Sequence, residues 1–305
     1  MKKIFTLALL LLIPTGFAFA EQRIASASAV VMRAAPTVQS GELLRLKLGT
    51  VVDVVSRSRS KAKIGSMSDH WYRVKASGKT GWIFGGLLRA FDPGRASAVR
   101  IGIARERIQR QSKSFLEWTE LVEFCGAAVG QTDDRDERAE LELCRLRAAQ
   151  KACNAKREDP WFAANKDILY YHELAGQWSV RPDRMWAVHK RYKNTQLAEQ
   201  IAYEASQAMT GGECEGFLEC SMGRWLMTDG RYLELYPAGR HVAVILNRLD
   251  ESLPYYLNQE IQDEPGVANK NIDAAIKVVS KTKNADVLRE RVIDKLKKVR
   301  EKHEK

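Results

Sequence analysis

The hydrophobic period changes once along this chain, and that change limits the possible folds more than any single motif. Leu44, Leu46 and Leu48 alternate with Arg45 and Lys47, and the β-branched run Val51-Val52-Asp53-Val54-Val55 follows Gly49-Thr50. Trp71-Tyr72-Arg73-Val74-Lys75 alternates again, Ser77-Gly78 marks a turn, and Thr80-Gly81-Trp82-Ile83 comes next. Period-two alternation and β-branched residues are strand signals. Short strands this close together, within about 70 residues, predict a compact barrel. The stretch between them, Arg57 to Ser68, is polar and basic and is expected to be a loop. After Asp92-Pro93-Gly94 the spacing becomes helical, as in Phe115, Trp118, Val122 and Cys125, and then in Leu141, Cys144, Ala148 and Ala152. Asp134 is placed to cap the second of these helices. The chain has 305 residues, which at ~150 residues per domain predicts about two domains.

The first twenty residues have a different logic. Lys2 and Lys3 precede the apolar run Ile4 to Ile13, Pro14 and Gly16 break it, and Ala18-Phe19-Ala20 has the small-x-small cleavage pattern. This is the layout of a secretory signal peptide. The expectation is cleavage near Ala20 and a mature protein that is periplasmic or secreted. The apolar run is too short to span a membrane, which takes ~20 residues, and no other stretch reaches that length. The chain is therefore not expected to be membrane-spanning.

Five cysteines are present, and a secreted protein can oxidise them. Cys214 and Cys220 flank a short loop and are the best local disulfide pair. Cys144 and Cys153 share one helix nine residues apart, on opposite faces and ~13 Å apart along the axis, too far for a bond that needs Cα atoms within ~7 Å. Cys125 is left to meet either of them across a helical hairpin. No paired C-x-x-C spacing with a nearby His supports zinc. Neither a metal nor any other cofactor is expected.

The strand blocks also carry a resemblance. Val31-Met32-Arg33-Ala34-Ala35-Pro36, Gly49-Thr50-Val51-Val52-Asp53-Val54, and above all Trp71-Tyr72-Arg73-Val74 followed by Gly78-Lys79-Thr80-Gly81-Trp82-Ile83 resemble the bacterial SH3-like (SH3b) domain. Ala35 departs from the pattern, where the family commonly has Gly. The resemblance implies a five-stranded barrel that is an accessory binding module and not itself catalytic. Its implied partners are peptidoglycan or an envelope protein. Arg57, Arg59, Lys61 and Lys63, with His70 and Trp71 just after them and Trp82 beyond, are the candidate ligand-binding residues. The alternative for the cations is a solvated loop, and for Trp71 and Trp82 a place in the core.

The formal net charge of +11 is uneven: +2 over residues 1–20, +8 over 21–91, −5 over 92–274 and +6 over 275–305. A basic domain is the usual footprint of a nucleic-acid binder. A secretory signal and the lack of any recognition motif argue against nucleic acid here.

In the helical part, Tyr232 to Tyr236, then Pro237-Ala238-Gly239, then Arg240-His241 resembles the inter-helix junction of tetratricopeptide-like repeats, but only one copy is clear. Together with Tyr170 to Trp178 and Cys214-Glu215-Gly216, it is similar to the helical C-terminal halves of bacterial SH3-domain proteins, a resemblance that implies no activity. No H-E-x-x-H or G-x-S-x-G is present, and no catalytic residue is assigned. The tail has an apolar stripe, Leu288, Val292, Leu296 and Val299, among many lysines.

The expected architecture is multidomain, all-β plus all-α. It comprises a signal peptide at 1–20, a small SH3-like barrel at 21–91, a mainly helical domain at 92–264 and a basic helical tail at 265–305. The expected function is non-enzymatic: the barrel binds a cell-wall or envelope-protein ligand and the helices make protein contacts. The competing readings are a peptidoglycan hydrolase with an SH3-like targeting domain, and an assembly scaffold.

Overall fold

The alternating blocks do become strands, and more of the chain joins them than their apolar pattern marks. A computed structural model describes residues 21–258 and 263–304. The expected signal peptide, residues 1–20, lies outside the described residues. The chain divides between Arg95 and Ala96 into two units.

The first unit is one curled antiparallel sheet. Its strands are β1 (Gln22–Ala25), β2 (Val30–Arg33), β3 (Glu42–Leu46), β4 (Val51–Ile64), β5 (Met67–Ala76), β6 (Lys79–Phe84) and β7 (Leu88–Phe91), in the spatial order β3-β2-β6-β5-β4-β1-β7. Seven strands replace the expected five. The four-residue β1 is too short to show a period, yet it pairs with both β4 and β7. Inward-facing Val30, Met32, Leu46, Val52, Tyr72, Val74, Ile83 and Leu88 form the core, and their alternate spacing is the one seen in the sequence.

The expected loop at Arg57–Ser68 is instead a β-ribbon. β4 and β5 run on past the core to Ile64 and Met67 and turn at Gly65, whose φ is +59°. The alternation signal fails here because both faces of the ribbon meet water, while the backbone ladder still satisfies its donors and acceptors.

The second unit begins with α1 (Ala96–Gln109), α2 (Phe115–Val129), α3 (Arg135–Ala155) and α4 (Pro160–Ala164). Ser114, Asp134 and Asp159 accept from the backbone amides of Glu117, Glu137 and Trp161 and so cap α2, α3 and α4. A two-stranded hairpin follows, β8 (Leu169–His172) with β9 (Gln177–Val180). The unit is therefore not all-α. Gln150 of α3 holds this hairpin, its Oε1 accepting from Ser179 Oγ at 3.0 Å and Val180 N at 3.1 Å. The chain continues through α5 (Pro182–Tyr192), α6 (Ala198–Ser206), α7 (Leu218–Trp225), a π-turn at Leu226–Gly230, α8 (Arg231–Leu235), α9 (Val242–Asn258), α10 (Asn269–Ser280) and α11 (Asp286–Lys302).

The junction between α8 and α9 falls at Tyr236-Pro237-Ala238-Gly239 as its residues suggest. Glu199 of α6 fastens it, Oε1 accepting from Tyr232 Oη at 2.7 Å and from Arg240 N at 2.6 Å. The basic tail is set apart by charge but not by packing. α10 and α11 lie on one another and α11 lies on α9, with Val292, Leu296 and Val299 fully buried. Lys295 Nζ and Arg291 Nε hold Asp250 of α9 at 2.8 and 3.1 Å. Among the described residues, no helix is long and apolar enough to cross a membrane.

Candidate functional site

The ribbon concentrates charge that the first unit does not neutralise. Arg57, Arg59, Lys61 and Lys63 are all exposed along the outer half of β4. Among the described residues none of the four has an ion pair or side-chain hydrogen bond. Among the described residues none of the unit's carboxylates pairs with these four, although Asp69 lies on the ribbon opposite Ala62. Glu21 pairs with Arg23 at 2.9 Å and Glu42 with Arg45 at 2.7 Å. Asp53 accepts from Gln22 Nε2, and Asp69 from the backbone amide of His70. Alternate strand residues lie ~7 Å apart, inside the ~8 Å screening length of physiological salt. The four cations therefore act on a ligand as one field.

A bulge in β4 sets how these cations are displayed. Arg57 lies opposite Tyr72, but Lys61 lies opposite His70, so β4 carries two extra residues between them. Ser58 closes the resulting gap. Its Oγ accepts from Trp71 N at 3.0 Å, and its carbonyl accepts from His70 Nδ1 at 2.8 Å. His70 thus braces the bulge. Trp71 is only 4% exposed and packs edge-to-face on Phe84, ring centroids 5.8 Å apart. Little of its ring is therefore open to solvent.

Trp82 is different. It is half-buried, and its cross-strand neighbours are Arg73 of β5 and Arg33 of β2. Directly opposed residues share a face of a sheet, so Arg33, Trp82 and Arg73 form one row across three strands. Arg33 Nη1 donates to Ser40 O at 2.7 Å. Arg73 is exposed and has no partner among the described residues. Arg is the side chain best suited to grip carboxylate or phosphate through paired donors, and the ring adds an apolar floor. Nothing in the sequence marks Arg33 and Arg73 as site residues, because only strand register brings them beside Trp82. Gly81 lets the row form. A Cβ there would stand 2.7 Å from Met32 Cγ and 2.8 Å from the Arg33 carbonyl, so only glycine lets β2 approach β6 this closely.

In the second unit the histidines and cysteines are engaged in packing and hydrogen bonding. His172 Nδ1 accepts from Ala175 N, and its Nε2 meets Thr210 O at 3.2 Å. His189 Nε2 meets Tyr236 Oη at 2.8 Å, and burial lowers its pKa. His241 stacks flat on Tyr203, and His303 Nε2 meets Tyr256 O. Cys125, Cys144 and Cys153 are free and buried. Burial pushes the Cys153 thiol up to about 12, the opposite of an activated nucleophile. Among the described residues no cluster of three His, Cys, Asp or Glu is placed to hold a metal. Cys214 and Cys220 form a disulfide, with Cα atoms 5.4 Å apart.

Compared with curated proteins, the chain matches none. Residues 28–89 match the family described as the bacterial SH3 domain. That match runs from β2 into β7 and takes in the cationic ribbon and the Arg33–Trp82–Arg73 row; by it the chain carries a bacterial SH3 domain, followed by a helical C-terminal unit.

Proposed function

We propose that this is a non-enzymatic cell-envelope protein, periplasmic or secreted, whose SH3 domain binds an anionic cell-wall or envelope-protein ligand. The helical unit makes protein contacts. The observation that carries the reading is the set of four unpaired cations on the ribbon of a bacterial SH3 domain. The disulfide supports an oxidising location. The buried thiols and the imidazoles engaged in packing support a binding rather than a catalytic role. Exposed Leu174, Tyr171 and Leu116 on the helical unit support contacts with a protein partner.

The test is co-sedimentation of the full mature chain with purified sacculi, compared with an R57Q/R59Q/K61Q/K63Q variant. A cation near a strongly anionic surface contributes on the order of 1 kcal/mol. Losing four should weaken binding by two to three orders of magnitude and flatten its salt dependence. Equal pelleting of both forms, insensitive to salt, sinks the proposal. Release of soluble fragments from the sacculi would favour the hydrolase reading instead.

A further inference from the structure

Three cysteines stand outside the Cys214–Cys220 bond, and the fold does not treat them alike. Cys125 lies on α2 and Cys144 on α3, and these helices pack against each other as a hairpin across a short turn. The hairpin brings position 125 beside position 144. A Cβ on the adjacent Gly126 would stand 3.3 Å from Arg145 Nε, so neighbouring positions of the two helices are in contact, and the nearby Cys144 raises the Cys125 pKa. Cys125 is 0% exposed and Cys144 is 4%. Cys144 Sγ donates to Ala104 O of α1 at 3.7 Å, so this sulfur sits where three helices meet. Cys153 is nine residues further along α3, ~13 Å away along its axis, beyond the ~7 Å Cα separation a disulfide allows. The hairpin thus resolves which partner Cys125 meets.

We propose that Cys125 and Cys144 form a second disulfide, closed while the α2–α3 hairpin assembles and then sealed inside it, leaving Cys153 as the one free thiol. The chemistry requires a disulfide donor RS–SR, the reagent class that Cys214–Cys220 also requires. One protein thiolate attacks the donor and expels RS⁻, giving a mixed disulfide. The second thiolate attacks the protein sulfur of that mixed disulfide and expels the second RS⁻. The two cysteines lose two electrons and two protons, and the donor leaves as two RSH. Timing follows from burial. Thiolate is the attacking species, and in the folded hairpin the neighbouring thiol and burial hold Cys125 protonated. Exchange therefore belongs to the unfolded or half-folded chain, before the helices cover the pair.

The experiment refolds the full, reduced chain with a mixture of oxidised and reduced glutathione, alkylates it in denaturant without reductant, and maps the peptides. The expected result is a fall from five free thiols to one, on Cys153, with Cys214 linked to Cys220 and Cys125 to Cys144. Three or more alkylated cysteines, or a link from Cys153 to either partner, overturns the proposal. Cys125→Ala should leave two free thiols, on Cys144 and Cys153, with the Cys214–Cys220 link intact; a new Cys144 link in that variant also overturns it. In a second arm, chain already folded with Cys125 and Cys144 reduced meets the same glutathione mixture. It should keep all three thiols over the time in which the refolding chain closes, and equally fast closure refutes the timing.

Discussion

Replacing Gly81 with Ala tests whether the close approach of β2 to β6 is what builds the first unit. The added methyl meets three groups: Met32 Cγ at 2.7 Å, the Arg33 carbonyl oxygen at 2.8 Å and Leu43 Cδ1 at 3.0 Å. Met32 is fully buried and has little room to swing aside. The carbonyl belongs to the strand pairing with β6 at Arg33↔Trp82, so moving it moves β2. Forcing a methyl into such a site costs about 1–3 kcal/mol. That lowers the free energy of opening and speeds amide exchange about 5- to 150-fold. Hydrogen exchange of peptides from β5 and β6 is the right assay, because it reads this unit alone. Fluorescence would mix signals from all seven tryptophans. Gly41→Ala is the control. Nothing lies within 4 Å of a Cβ there, and the change should stay within about 0.5 kcal/mol. Wild-type exchange in β5 and β6 of Gly81→Ala would refute the steric argument.

Three further outcomes are expected. Leu296→Ala removes a fully buried side chain from the seam between α11 and α9 and should cost about 2–5 kcal/mol in urea unfolding; a near-neutral result would mean the tail is not docked. Burial raises the Asp250 pKa, but hydrogen bonds and charge from Lys295 and Arg291 outweigh it and the net shift is downward. The carboxylate thus adds stability that is present above its unfolded pKa and lost as pH falls through its folded one. Asp250→Asn should cost about 1.5–3 kcal/mol near neutral pH, and the gap to wild type should close below about pH 4; a gap that does not vary with pH contradicts the assignment. Replacing both Cys214 and Cys220 with Ser opens a loop with a sequence separation of 6 and should cost about 2 kcal/mol, seen as a lower denaturant midpoint.

Features that depend on near neighbours in the chain were readable directly. The switch from period two to helical spacing separated a β unit from a helical one, because burial on one face imposes its own repeat on each kind of element. Asp134 read as a cap, and Tyr236-Pro237-Ala238-Gly239 as a helix junction. Cys214 and Cys220 read as a pair, since six residues of chain hold them close whatever the rest does. Of the candidate site, the four ribbon cations and Trp82 were legible as residue types in a suggestive order.

What remained needed the tertiary structure, and for one reason: it rests on groups far apart in sequence. A stretch with both faces in water carries no hydrophobic period, so Arg57 to Ser68 read as a loop although backbone pairing makes it a ribbon. Register alone places Arg73 and Arg33 on either side of Trp82. The sequence left Trp71 and Trp82 open between ligand platform and core, and only packing distinguishes them, burying Trp71 and leaving Trp82 half-buried. The charge of the tail suggested a separate element, but the apolar stripe of α11 and its ion pairs to Asp250 draw it onto α9. Local sequence determined which elements form and where they turn. The docking of those elements decided which charges stay unpaired, because pairing depends on groups that only the fold brings together.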